Sequence, residues 1–254
     1  MSPTVHEKIC WAECLGGCSG GLSREHIVSG TFFEGGPISV TGFDWTQDEM
    51  REIGLNNAVS KILCRTHNSS LSPLDAEIKI AREYFRKFSE LVSRDERTEE
   101  FIGKIHGVKF ERWLLKTTIN VIRASPKKYS NFFPDYLLTQ MAFGVTPFNY
   151  NTGQGLYMVD PRLCRNMVRS DNSVNVRPII LAIEEQSCLL GSLVTFCGIP
   201  FFLNTIDPMT KNLGGLNTIE NINLIDKRFF HPPRIRTLTS NGFLDHQSIV
   251  FTYS

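Results

Sequence analysis

CLGGCSGGLSREHIV at residues 14–28 and LCRTHN at residues 63–68 decide how the front of this chain folds. The first stretch carries Cys14-x3-Cys18 and the second Cys64-x2-His67. Two short-spaced pairs, each in a tight turn, supply four soft or borderline donors, the complement of a closed tetrahedral zinc site. With all four positions filled by protein, the ion is structural and stands in for the core that so small a module lacks. Cys10-x3-Cys14 has the same spacing, so Cys10 is a third candidate for the first pair. Cys14 and Cys18 are preferred because Cys18 then lies seven residues before Glu25, a separation that a β-turn connection spans.

Working outward, residues 9–29 read as a knuckle rich in cysteine and glycine, and Pro37 to Trp45 as a strand between turns. Ser72-Pro73-Leu74-Asp75 reads as a helix start, with serine as N-cap, proline at the first helical position and aspartate at the positive end of the dipole. Apolar residues recur at helical spacing from Ala76 to Arg94 and again from Val108 to Ala124, predicting two helices that pack together, with Ser93 to Glu100 as a solvated hinge. Beyond residue 150 the runs Val176–Glu184, Gly191–Cys197, Pro200–Thr205, Arg234–Thr239 and Ser248–Tyr253 predict a mainly antiparallel β region. The fold class expected is α+β. A zinc-stapled ββα module spans residues 1–78, a helical region 79–150, and a β-rich region 151–254.

The order Cys, Cys, Glu25-His26-Ile27-Val28, then Leu63-Cys64-x-x-His67-Asn68, resembles the HNH, or ββα-metal, endonucleases, in particular their zinc-containing branch. The resemblance covers roughly residues 10–78, under a third of the chain. It implies that Glu25 and Asn68 hold a catalytic divalent ion, Mg or Mn, and that His26 is the general base. One carboxylate and one amide oxygen leave a hard ion open positions for a phosphate. A base beside that ion takes the proton of the attacking water. Arg24 and Arg65 are then candidates to contact a phosphate oxygen. Two departures stand out. Glu25 replaces the more frequent aspartate, and His67 replaces the usual second-knuckle cysteine, which makes His67 an alternative ligand of the catalytic ion. The family's middle asparagine would fall at Val59, so Asn57 nearby is the candidate for that role.

Composition bounds the partners. The chain has 254 residues, is 41% hydrophobic and carries seven cysteines, of which three fall between residues 10 and 18. That clustering suits metal better than a secreted disulfide framework. Cys164, Cys188 and Cys197 lie in apolar surroundings and read as spectators. No apolar run approaches the ~20 residues of a membrane span, so a soluble, cytoplasmic protein with no membrane partner is expected. Residues 1–78 hold five Lys/Arg against ten Asp/Glu, so long-range attraction of a polyanion must come from the rest of the chain. Arg112 and Lys116 share a helix face that is read as packed, and Arg162, Arg165 and Arg169 share another that is read as solvated. The resemblance implies a nucleic-acid substrate, DNA before RNA, and roles in restriction, defence or mobile elements. A homodimer would let one site per chain cut both strands, and a regulatory protein could act through the β-rich region. The competing class is a non-catalytic zinc module that binds nucleic acid or a protein.

Overall fold

Strand β1 (Leu22–His26) is separated from its partner by a short antiparallel hairpin, β2 (Pro37–Val40) and β3 (Arg51–Gly54), before β4 (Val59–Cys64) returns to lie antiparallel beside it. Leu22 faces Cys64 and His26 faces Val59, with an irregularity between Ser23 and Glu25. β4 runs without a break into helix α1 (Arg65–Ser93). This computed structural model describes residues 9–93, 100–129, 132–159, 173–183, 186–206, 229–230, 237–239 and 247–253.

Helix α1 begins seven residues before the start expected at Ser72 and runs through Pro73. Cys64 explains the early start: its sulfur accepts the His67 backbone N–H at 3.5 Å, the reach of an N-cap side chain to the third helical residue. Pro73 has no N–H for the Ser69 carbonyl, and the Ser72 hydroxyl donates to that carbonyl instead at 2.8 Å. Ser72 therefore repairs the interior of the helix and does not cap it. The buried residues Leu71, Leu74, Ile78, Ala81, Phe85, Phe88 and Leu91 form one stripe at spacings of three or four.

The stripe meets β5 (Phe101–His106) and helix α2 (Gly107–Arg123). β5 was not expected, and its residues follow directly on the stretch read as a hinge. α2 is buried on most of its surface, including Phe110, Trp113, Leu114, Leu115 and Ile119. Its buried carboxylate is answered: Glu111, fully buried, accepts from Leu156 N at 2.9 Å and from the hydroxyls of Tyr150 and Tyr253 at 2.8 and 3.3 Å. Helix α3 (Tyr136–Phe143), capped by Asp135, and strand β6 (Gly155–Val159) were also unforeseen.

The expected antiparallel region is present. β7 (Val174–Ile183), β8 (Gln186–Phe196), β9 (Ile199–Asn204) and β10 (Phe229–Phe230) join β6 in the order β10-β6-β9-β8-β7, every pair antiparallel. β11 (Thr237–Thr239) and β12 (Gln247–Thr252) form a second sheet in which β12 runs parallel to β5. Residues 234–236 of the strand expected at Arg234–Thr239 lie outside the described residues.

Residue 78 is mid-helix in α1, and one buried cluster extends from Cys10 to Phe251. Phe196 shows why: its ring lies 5.1 Å from Phe32, 5.1 Å from Phe85, 5.4 Å from Phe110 and 5.8 Å from Trp113. Aromatic rings from all three expected regions thus share one core. No helix among the described residues is long and apolar enough to cross a membrane.

Candidate metal centre and adjoining charged site

Both ends of the β1–β4–α1 unit carry polar clusters. At the first end, Cys10, Cys18, Cys64 and His67 place their donor atoms within 4.8 Å of one another. His67 Nδ1 lies 3.4 Å from Cys10 Sγ, 3.4 Å from Cys18 Sγ and 3.3 Å from Cys64 Sγ. An ion with bonds of about 2.3 Å to sulfur and about 2.0 Å to nitrogen leaves these atoms about 3.5 Å apart in a tetrahedron. The donor set and its spacing thus fit a metal ion such as zinc.

The elements around the cluster explain its assembly. Cys64 ends β4 and His67 lies in the first turn of α1, so the strand-to-helix junction holds that pair. Gly20 has φ of 74°, and a Cβ there would stand 3.0 Å from Arg65 Cβ, so the turn after Cys18 can lie against the helix start only as glycine. The Trp11 N–H donates to Ile62 O at 2.9 Å, which brings Cys10 alongside β4. Cys14 is exposed and does not join the group. Cys10 takes the place that the turn-length reasoning gave to Cys14, because a long-range backbone hydrogen bond fixes the first ligand and turn length does not.

Three thiols this close cannot all ionise without a cation. Burial pushes the Cys10 thiol up. Cys18 is pushed up to about 12, first by desolvation of its sulfur and then by Cys10 and Cys64. Burial also opposes ionisation of Cys64, yet backbone N–H groups of His67 and Ser19 outweigh it and hold that thiol below its ordinary value. Burial keeps the His67 imidazole on the neutral side, the form that binds metal.

At the other end, Glu25 is buried, 5% exposed, and its Oε1 lies 2.7 Å from Nζ of Lys116. Lys116, 2% exposed, also reaches Asp75 of α1, at 3.1 and 3.3 Å to its two oxygens. Burial pushes the Glu25 carboxyl up, and Lys116 pulls it back. Asn68 Nδ2 donates to Ser23 Oγ at 3.1 Å. Glu25 is thus paired with an ammonium, while the Asn68 bond uses the amide nitrogen and not the oxygen that would face an ion. The Nε2 atom of His26 is buried without a polar partner and is covered by Gly30, whose Cβ would lie 3.2 Å away. The His26 backbone carbonyl receives Asn120 Nδ2 at 3.4 Å, and Asn120 Oδ1 receives Trp11 Nε1 at 3.1 Å.

Arg24 is exposed and donates to Asn56 O at 2.7 Å, and Asn57 is exposed in the turn before β4. Arg65 is exposed at the start of α1. Arg112 donates to the carbonyls of Ala142 and Phe143, so with Lys116 it belongs to the interior, as its helix face suggested. Arg162, Arg165, Arg169 and Cys164 lie outside the described residues. Cys197 is buried and Cys188 half-buried.

Sequence reasoning gave no site role to Asp75, Lys116 or Asn120. A signal was present: Lys116 and Asn120 interrupt the apolar run Trp113-Leu114-Leu115-Lys116-Thr117-Thr118-Ile119-Asn120. A lysine in a helix buried on most sides requires a buried acid. No protein-family model matches the chain, and neither the curated proteins nor the solved structures provide a match.

Proposed function

We propose that the chain is a hydrolase of nucleic-acid phosphodiester bonds, with DNA as the first substrate to test. A structural zinc in the Cys10, Cys18, Cys64 and His67 set fixes β4 and α1 against the knuckle, and His26 is the general base. The observation that supports this reading is the arrangement of β1, β4 and α1 about one Cys3His cluster, with the Glu25-His26 step on β1. The buried His26 Nε2 has no hydrogen-bond partner among the described residues, which leaves that nitrogen available as an acceptor. In the reaction His26 takes a proton from water as the water oxygen attacks phosphorus and the ester oxygen leaves. Arg24 and Arg65, both exposed, are the residues assigned to phosphate oxygens in this reading. As Glu25 and Asn68 stand, the reading assigns no step to a catalytic Mg or Mn ion.

A second reading, a zinc-bearing module that binds nucleic acid or a protein without cutting, is favoured by the Glu25–Lys116 ion pair and by the cover of Gly30 over His26. Each gives a motif residue a structural occupation. Cleavage of supercoiled plasmid and single-stranded DNA by the zinc-loaded chain, with and without added Mg or Mn, separates the two. The expected result is cutting by the wild type and a loss of ~100-fold or more in His26→Ala at unchanged zinc content. A zinc-replete wild type that cuts neither DNA nor RNA establishes the second reading.

A further inference from the structure

The Glu25-His26 step is gripped from outside its own module. Lys116 and Asn120 are one turn apart on α2; the first holds the side chain of Glu25 and the second the backbone of His26. Asn120 also holds Trp11, the neighbour of the metal-cluster residue Cys10. A single helix face therefore ties the base strand to both the knuckle and α1.

We propose that Lys116 is the resident cation of the Glu25 and Asp75 carboxylates and a positioning residue for the Glu25-His26 step. The ammonium occupies the position between the two acids that a divalent ion would need. The role assigned to His26 rests on the hydrolase reading; the identity of the cation does not.

Three features of the geometry carry this. The ammonium contacts both acids at hydrogen-bond distance, at 2.7 Å on one side and 3.1 Å on the other. Lys116 comes from the middle of a packed helix, so it cannot swing aside as a surface lysine would. The titratable groups that face Glu25 are Lys116 from α2, Asp75 from α1 and His26 beside it on β1. A dication at Glu25 would therefore have to stand against an ammonium that is already in contact. Lys116 is too deeply buried to touch a bound phosphate, and its contribution is to fix where β1 presents His26.

The test is manganese-induced line broadening in NMR spectra of the full, zinc-loaded chain. Wild type and Lys116→Arg retain a cation between the acids, and signals of Glu25, His26 and Asp75 are expected to stay sharp in millimolar Mn. Lys116→Met leaves two carboxylates without one, and Mn is expected to broaden those signals. Broadening in the wild type, or a folded Lys116→Met chain that still excludes Mn, overturns the proposal. Should Lys116→Met not fold, the wild type decides it together with the lysine Nζ spectrum. A Lys116 signal that moves in Glu25→Gln supports the resident cation, and one that does not move contradicts it. Plasmid cleavage is scored separately, so an inactive chain with sharp Glu25 signals rejects the hydrolase and leaves the resident cation standing.

Discussion

The two clusters on the β1–β4–α1 unit answer the same problem, crowded groups of one polarity, in opposite ways. His67 and Asp75 lie on the same helix, about 12 Å apart along its axis. Around His67 the protein gathers three thiols and an imidazole. Around Asp75 it gathers two carboxylates and supplies the ammonium of Lys116. The first cluster has the donors to hold an ion from solution, whereas the second is answered as folded. Soft donors at a strand-to-helix junction thus mark a metal staple, and hard donors answered by a buried lysine mark a brace.

The largest effect should come from breaking the first cluster. Chelation of the metal, Cys10→Ser or His67→Ala is expected to lower the melting temperature by on the order of 10 °C, because the knuckle loses its staple while the shared aromatic core remains. Cys14→Ser should leave both melting and zinc content unchanged. Equal losses in Cys10→Ser and Cys14→Ser would show that the ligand set is shared between them.

Breaking the brace should cost less. Lys116→Met leaves the buried Glu25 without its cation and beside the half-buried Asp75, and is expected to destabilise by about 3–5 kcal/mol in denaturant unfolding. Adding Glu25→Gln should recover much of that loss. If the two changes are simply additive, the pair is not coupled.

The smallest effect is a slope in pH. Burial outweighs Lys116 and holds the Glu25 carboxyl above the ordinary range. Between the unfolded value of about 4.3 and the higher folded one, the native chain binds more protons than the unfolded chain. Glu25 therefore makes stability fall as pH rises through that window, a contribution fully present below it. Glu25→Gln should flatten this part of the stability profile, and an unchanged slope would assign it to other groups.

The same contrast explains what was legible in the sequence. Cys64-x2-His67 could be read because its two residues occupy adjacent positions of one local element, the end of β4 and the first turn of α1. The choice between Cys10 and Cys14 could not, since it depends on the hydrogen bond from Trp11 to Ile62, which spacing does not display. Helical periodicity located α1 and α2, yet the start of α1 was misplaced because Ser72 and Pro73 imitate a cap while repairing a helix interior. β5 was hidden for a similar reason: its parallel partner β12 lies far along the chain, with Phe101 opposite Gln247. The Lys116 brace also joins distant segments, and no local pattern pairs residue 25 with residue 116.

X-ray absorption at the zinc edge, with a metal count on the same purified chain, tests most directly that the first cluster is a metal staple and the second is not an ion site. One zinc per chain with three sulfurs near 2.3 Å and one nitrogen near 2.0 Å is the expected result. A four-sulfur shell would bring Cys14 into the site, and a zinc-free folded chain, or a second ion bound at Glu25 and Asp75, would contradict the account.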